Sequence, residues 1–251
     1  MEAHQVDGRT ALVTGAGRGV GRAIALELSA AGARVMALAR SAEALESLAA
    51  EAAGPVEVLA VDLGEDTALS ALRGSLRERG DVAILINNAA VVEPLGRSWA
   101  AEPREVLRAY DINVHAPALI AAAVVPGMLA TGWGRIVNVS SGVVVAPAGM
   151  VGGNTYAATK AALEAHTINL AAELTATGVT ANIYRPGVVD TSMQQWIRAQ
   201  DPNRIGQRLH ERFVAYHADE ALITPAASAA GLMRHLTRTE STTGQIWQVA
   251  D

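Results

Sequence analysis

Nineteen arginines and a single lysine supply the basic side chains of this 251-residue chain. The lysine, Lys160, lies in NTYAATKAALEAHTINL (154–170), four residues after Tyr156. On a helix that spacing puts both side chains on one face, one turn apart. A tyrosine with its ordinary pKa of about 10 exchanges protons poorly near neutrality, and a neighbouring ammonium stabilises the phenolate and lowers that value. The pair could therefore give a proton to a carbonyl oxygen or take one from an alcohol. An ammonium is compact, can bond two adjacent hydroxyls and can release a proton, whereas a guanidinium is larger, planar and effectively never deprotonated. A lone Y-x-x-x-K is a common surface pair on helices. What distinguishes this one is its place shortly after the apolar run and serines of RIVNVSS (135–141).

A second group of residues could hold phosphates. In TALVTGAGRGVGRAIALEL, Gly15, Gly19 and Gly21 follow an apolar run and open a helical pattern. Glycines there let the backbone turn sharply beside a pyrophosphate, while the helix N-terminus offers free N–H groups and the positive end of its dipole. The alternative is an ordinary strand-to-helix turn. At the end of the next apolar run stand Ala39 and Arg40, where an acidic residue would bond the ribose 2′-hydroxyl of NAD. A guanidinium from Arg40, with a second from Arg18, would instead hold a 2′-phosphate. NADP(H) is the expected cofactor, with NAD(H) disfavoured. His4, His115, His166, His210, His217 and His235 form no close ligand spacing, and no metal is expected.

The elements that must position these groups are readable from periodicity. Apolar runs at 10–14, 34–39, 56–61, 82–87, 135–140, 179–184 and 245–249 alternate with helical patterns. This predicts an α/β fold, a doubly wound parallel seven-stranded sheet with helices on both faces, its ligand crevice at the carboxyl ends of the strands. Half the residues are apolar and few are aromatic, which suits such a sheet. Residues 1–251 read as one domain, with the irregular stretch 191–221 as a substrate-side insertion. The most apolar segment, 116–130, is too short to cross a membrane, is interrupted by Pro126 and Gly127, and reads as a buried helix. A net charge of −5 without a basic run argues against nucleic acid as a partner, and the absence of cysteine excludes thiol chemistry and disulfides. No signal-peptide pattern precedes Ala11, so a cytoplasmic enzyme is expected, with no membrane association.

The spacing T-G-x-x-x-G-x-G at 14–21, followed by Y-x-x-x-K, resembles the short-chain dehydrogenase/reductase family, in its short single-domain branch, and the likeness runs along almost the whole chain. It implies that Gly15, Arg18, Gly19, Val20 and Gly21 cradle the nucleotide, and that Asp62 and Leu63 contact the adenine. Within NNAA (87–90), Asn88 and Ala89 would line the site. In YRPGVVDT (184–191), Pro186, Gly187, Val189 and Thr191 would hold the nicotinamide. The family's serine falls on Ser141, not Ser140, its asparagine on Asn113, and its acid/base pair on Tyr156 and Lys160, which also bind the cofactor. The Ser141-to-Tyr156 separation is longer than usual, implying an enlarged substrate loop. Val143, Val144, Val145, Met150, Met193, Trp196 and Phe213 suggest an apolar pocket. The resemblance implies a homotetramer built through the long helices and an NADPH-dependent carbonyl reductase, reversible as an alcohol dehydrogenase, acting on small, hydrophobic carbonyl or alcohol molecules. Alternatives are a 3-oxoacyl-(acyl-carrier-protein) reductase, for which neutral residues stand at the expected basic docking positions, and a non-catalytic NADP-sensing protein.

Overall fold

A computed structural model describes residues 5–238 and 242–250, so His4 lies outside the described residues. Among the described residues seven strands form at the sites of the seven apolar runs: β1 (Thr10–Thr14), β2 (Arg34–Ala39), β3 (Val56–Ala60), β4 (Val82–Asn87), β5 (Gly134–Val139), β6 (Val179–Arg185) and β7 (Ile246–Gln248). All pair in parallel, in the order β3-β2-β1-β4-β5-β6-β7. The order reverses direction between β1 and β4, which opens a crevice at their carboxyl ends.

Side chains alternate between two cores, as the period of two requires. Ala11, Val13, Val35, Ile84, Ile86 and Val137 pack with α1 (Gly19–Ala30) and α10 (Pro225–Leu236). Leu12, Met36, Leu85 and Ile136 face the other way, toward α3 (Asp66–Arg79) and α5 (Ala116–Thr131). Helix α2 (Ala42–Glu51) lies over the β2–β3 side, and α6 (Asn154–Glu173) beside β6.

The apolar segment is a partly buried helix, but Pro126 does not interrupt it. α4 (Pro103–Tyr110), a π-turn (Asp111–His115) and α5 form one continuous run, Pro103–Thr131, long and apolar enough by length and composition alone to cross a membrane. Ile120, Val124 and Met128 turn inward from it. Gly127 is where α5 meets the end of α3: a Cβ there would lie 2.4 Å from the Gly80 carbonyl oxygen.

Over the carboxyl edge, the irregular stretch after Thr191 folds into α7 (Ser192–Arg198), α8 (Pro202–Ile205) and α9 (Gln207–Ala218). With Val92, Leu95 and Met150 they enclose a third, smaller apolar cluster around Ile197, Ile205, Leu209 and Phe213.

Candidate active site

The crevice is a cleft of about 820 Å³, and its floor is fastened at the reversal point. The Thr14 hydroxyl accepts the N–H groups of Asn88 and Ala89, both at 3.0 Å, and the Asn88 side-chain amide donates to the Thr14 carbonyl at 3.0 Å. Beside this joint Gly15 and Gly19 adopt φ of +68° and +57°, the left-handed region that disfavours side chains. A Cβ on Gly15 would stand 2.9 Å from the Ala89 Cα, and one on Gly19 3.2 Å from Thr191. These glycines let the turn pack closely against its neighbours while it lines a narrow trough in the cleft that leads to the N-terminus of α1, whose first turn carries no acidic residue. Such a trough fits a pyrophosphate.

Gly15, Arg18, Gly19 and Val20 line that trough, and Arg40, Asp62, Leu63, Asn88, Ala89, Pro186, Gly187, Val189 and Thr191 line the rest of the cleft. Gly21 does not reach it. A Cβ on Gly21 would stand 2.4 Å from the Gly15 carbonyl oxygen, so this glycine lets the turn fold on itself. Ser41 is a lining residue that the sequence reading missed: its hydroxyl accepts from the Ala44 N–H at 3.2 Å and caps α2, beside Ala39 and Arg40. A serine directly before a helical pattern is an N-cap signature that could have drawn attention to it. Asp62 accepts from the Gly64 N–H at 2.9 Å and pairs with Arg108 at 3.0 Å. Its partial burial raises the carboxyl pKa, but these two partners together with the Arg40 guanidinium outweigh that and hold it below the usual value.

At the other end Ser141, Tyr156 and Lys160 meet. Ser141 begins a 3₁₀ turn (Gly142–Val144), where its hydroxyl accepts from the Val143 N–H at 3.3 Å, and it lines the cleft beside Tyr156. Ser140 is buried in the same wall, its hydroxyl without a partner among the described residues. Lys160 is only 2% exposed; its Nζ donates to the Val139 carbonyl at 2.7 Å and sits 5.9 Å from the centre of the Tyr156 ring. Burial drives its pKa down to about 8, against the opposing pull of the Glu164 carboxylate. The expectation that the ammonium lowers the tyrosine pKa does not hold in the protein alone. Burial pushes the Tyr156 pKa up, and the nearby Ser141 hydroxyl offsets only part of that.

Asn113 lies in the π-turn, buried and outside the cleft lining. Its amide oxygen accepts from the Val91 N–H at 2.8 Å, and its amide nitrogen donates to the Val91 carbonyl at 2.8 Å and to Thr159 at 3.0 Å. The side chain therefore ties the segment after β4 to the helix of Tyr156 and Lys160.

The substrate end is walled by Val92, Met150, Val189, Met193, Ile197 and Phe213. Val145 and Trp196, expected there, are 69% and 36% exposed, and neither they nor Val143 and Val144 line the cleft. Three separate segments are fastened together behind this wall. The Gly96 N–H donates to Gly152 at 2.8 Å, the Arg212 guanidinium donates to the Gly149 carbonyl, and Gly152, at φ +98°, has room for no Cβ against the Ile205 carbonyl, 2.6 Å away. Among the described residues no group of three His, Asp or Glu side chains could hold a metal ion.

Residues 9–202 match the short chain dehydrogenase family. The chain belongs to that family. A short-chain dehydrogenase of this kind is an NAD(P)-dependent oxidoreductase acting between CH–OH and carbonyl groups. Over 213 residues the chain is 36% identical to 3-oxoacyl-[acyl-carrier-protein] reductase FabG of Pseudomonas aeruginosa, covering 80% of this chain and 83% of that one. Over 190 residues it is 38% identical to human L-xylulose reductase, covering 75% of each. Among solved structures, L-sorbose reductase from Gluconobacter frateurii, complexed with NADPH and L-sorbose, superimposes with a TM-score of 0.84 at 25% identity, covering 99% of this chain and 97% of that one.

Proposed function

We propose that this short-chain dehydrogenase is an NADPH-dependent carbonyl reductase, reversible as an alcohol dehydrogenase, acting on small hydrophobic ketones or aldehydes. The observation that carries this reading is one continuous cleft with Arg18, Arg40 and Ser41 beside the carboxylate-free Ala39 at one end, and Ser141, Tyr156 and Lys160 at the other. The guanidiniums suit a 2′-phosphate, and the solved relative bound to NADPH supports the choice.

The nicotinamide cofactor, when bound, supplies or accepts the hydride. The rest falls to the chain. The Ser141 hydroxyl orients a substrate oxygen and stabilises charge that develops there. The Tyr156 hydroxyl, kept protonated by its burial, gives its proton to that oxygen in reduction and recovers it in oxidation. The Lys160 ammonium, where protonated, stabilises the phenolate left behind. Asn113 acts indirectly, by holding Val91 and Thr159 in place.

The named relatives act on sugars and an acyl-carrier-protein substrate, whereas the wall here is Val92, Met150, Met193, Ile197 and Phe213. That lining favours apolar carbonyl compounds over polyols. The stretch 191–221 serves as the substrate-side insertion within a single nucleotide-binding domain. Leu107, Leu129 and Ile168, exposed on α4, α5 and α6, support a homotetramer assembled through those helices. A panel of carbonyl compounds and alcohols, run with NADPH and NADH, tests the reading. Turnover of sugars above hydrophobic ketones would overturn the substrate class, and absence of any turnover would favour a nucleotide sensor.

A further inference from the structure

Glu164 follows Lys160 by four residues on α6, the spacing at which a carboxylate and an ammonium meet on a helix. The two nevertheless form no ion pair in the structure. Both carboxylate oxygens of Glu164 are taken by Arg185, whose Nε and Nη2 donate to them at 2.9 and 2.8 Å. Glu164 is buried and Arg185 largely so, which makes this a bidentate, poorly solvated pair rather than a surface contact. Arg185 ends β6 and directly precedes Pro186 and Gly187 in the cleft wall.

Lys160 is left with one protein hydrogen bond, to Val139, and an ammonium has three donors. A buried cation in that position would gain strongly from a bare carboxylate one turn away. We propose that Arg185 is a positioning residue that occupies Glu164 and so prevents it from closing on Lys160, keeping the ammonium at the cleft for Tyr156 and for the cofactor's hydroxyls. The charged and titratable groups around Lys160 are few. Tyr156 and Glu164 face it from α6 and Arg185 lies beyond Glu164 on β6, while β5 presents the Val139 carbonyl and the two serines after it present hydroxyls. Releasing Glu164 would add a direct anion to the ammonium. Lys160 would then hold its proton to higher pH and be drawn along the helix away from Tyr156.

The inference rests on the proposed function for its catalytic consequence only, and the single lysine allows a direct test. Protein labelled with ¹⁵N at the lysine ε-position, carrying no lysine in any tag, gives one ammonium resonance, whose pH titration reports Lys160 alone. In wild type the midpoint is expected near 8. Arg185→Gln should raise it by about one unit, a tenfold change in the protonation equilibrium. Glu164→Gln combined with Arg185→Gln should bring it back to the wild-type value or below. NADPH affinity and turnover should fall about tenfold in Arg185→Gln and largely recover in the double variant. An unmoved midpoint in Arg185→Gln would overturn the proposal, as would a double variant no better than the single one, since a merely structural pair gains nothing from losing its second half. Arg185→Met, which keeps the side chain's apolar bulk, carries the same expectations should the glutamine variant not fold. A wild-type enzyme inert toward every carbonyl compound, with the titrations as expected, would overturn the proposed function and leave the Arg185 inference standing.

Discussion

Asn113 and Val91 exchange two hydrogen bonds of 2.8 Å, amide side chain against peptide group, so that a loop with no sheet partner is satisfied by a residue on a distant helix. Replacing Asn113 with Leu strands the N–H and the carbonyl of Val91 and takes one donor from the Thr159 hydroxyl, which keeps its own bond to the Tyr156 carbonyl. The expected loss is about 2–4 kcal/mol of unfolding free energy, read from urea denaturation. Turnover should fall as well, because Val91 lines the cleft. A variant as stable as wild type would show that the loop finds other partners.

Lys160 should make the fold less stable than an apolar residue would. Its folded pKa of about 8 lies below the value of 10.5 expected for an exposed lysine, so the unfolded chain binds the proton more tightly. The stabilising, neutral form is fully present above the unfolded value and is lost as pH falls through about 8. Lys160→Met should therefore be more stable than wild type at pH 7, by up to about 3 kcal/mol, with the gap narrowing between pH 8 and 10.5. Thermal denaturation at a series of pH values checks both the sign and the window.

Charge is not all that Lys160 contributes. A guanidinium stays protonated and brings a broader, planar head to a position where Lys160 is only 2% exposed, so Lys160→Arg should lose on the order of a hundredfold in turnover. Steady-state kinetics beside a separate NADPH-binding measurement tests this, and near-wild-type turnover would refute it.

Cofactor choice should move with the end of β2. Ala39→Asp places a carboxylate where the 2′-phosphate would sit and should shift the ratio of kcat/KM values toward NADH. Arg40→Ala should weaken NADPH while leaving NADH nearly unchanged. An NADH preference in wild type would overturn the assignment.

The two sides of α7 separate substrate effects from bystander effects. Met193 lines the cleft and Trp196 is turned outward. Met193→Ala should reorder a series of ketones of increasing bulk without altering NADPH affinity. Trp196→Ala should leave both the ordering and the affinity unchanged, and a reordering by Trp196→Ala would place its indole over the bound substrate.

All seven strands were legible in the sequence because each is a short apolar run set between helical periods. The helical spacing of Tyr156 and Lys160 was legible too, and the family resemblance placed Ser141 beside them, where all three line one cleft. What stayed hidden depends on other kinds of information. The π-turn at Asn113 differs from an α-turn by one residue of hydrogen-bond register, which leaves no mark in composition. Pro126 was read as a break, yet the packing of Ile120, Val124 and Met128 carries the helix through it. Gly21 was read as a cofactor contact because its spacing cannot distinguish a glycine that meets a ligand from one that meets its own turn. Val143 to Val145 and Trp196 were placed in the pocket because hydrophobicity says that a side chain seeks cover, not which cover. The Asp62–Arg108 and Glu164–Arg185 pairs span 46 and 21 residues, and only the fold brings them together.

Gly96, the loop from Gly149 to Gly152, and the segment from Ile205 to Arg212 are joined backbone to backbone or guanidinium to backbone, with glycines at the tightest approaches. Lengthening one of them alone would tear contacts from the other two. The substrate wall can therefore change by point substitution at side chains such as Met150, Met193 and Phe213, but its outline is exchangeable only as a set. A chimera that transplants a relative's loop without its two companions should misfold at this edge of the sheet, whereas one that moves all three together carries the new specificity with it.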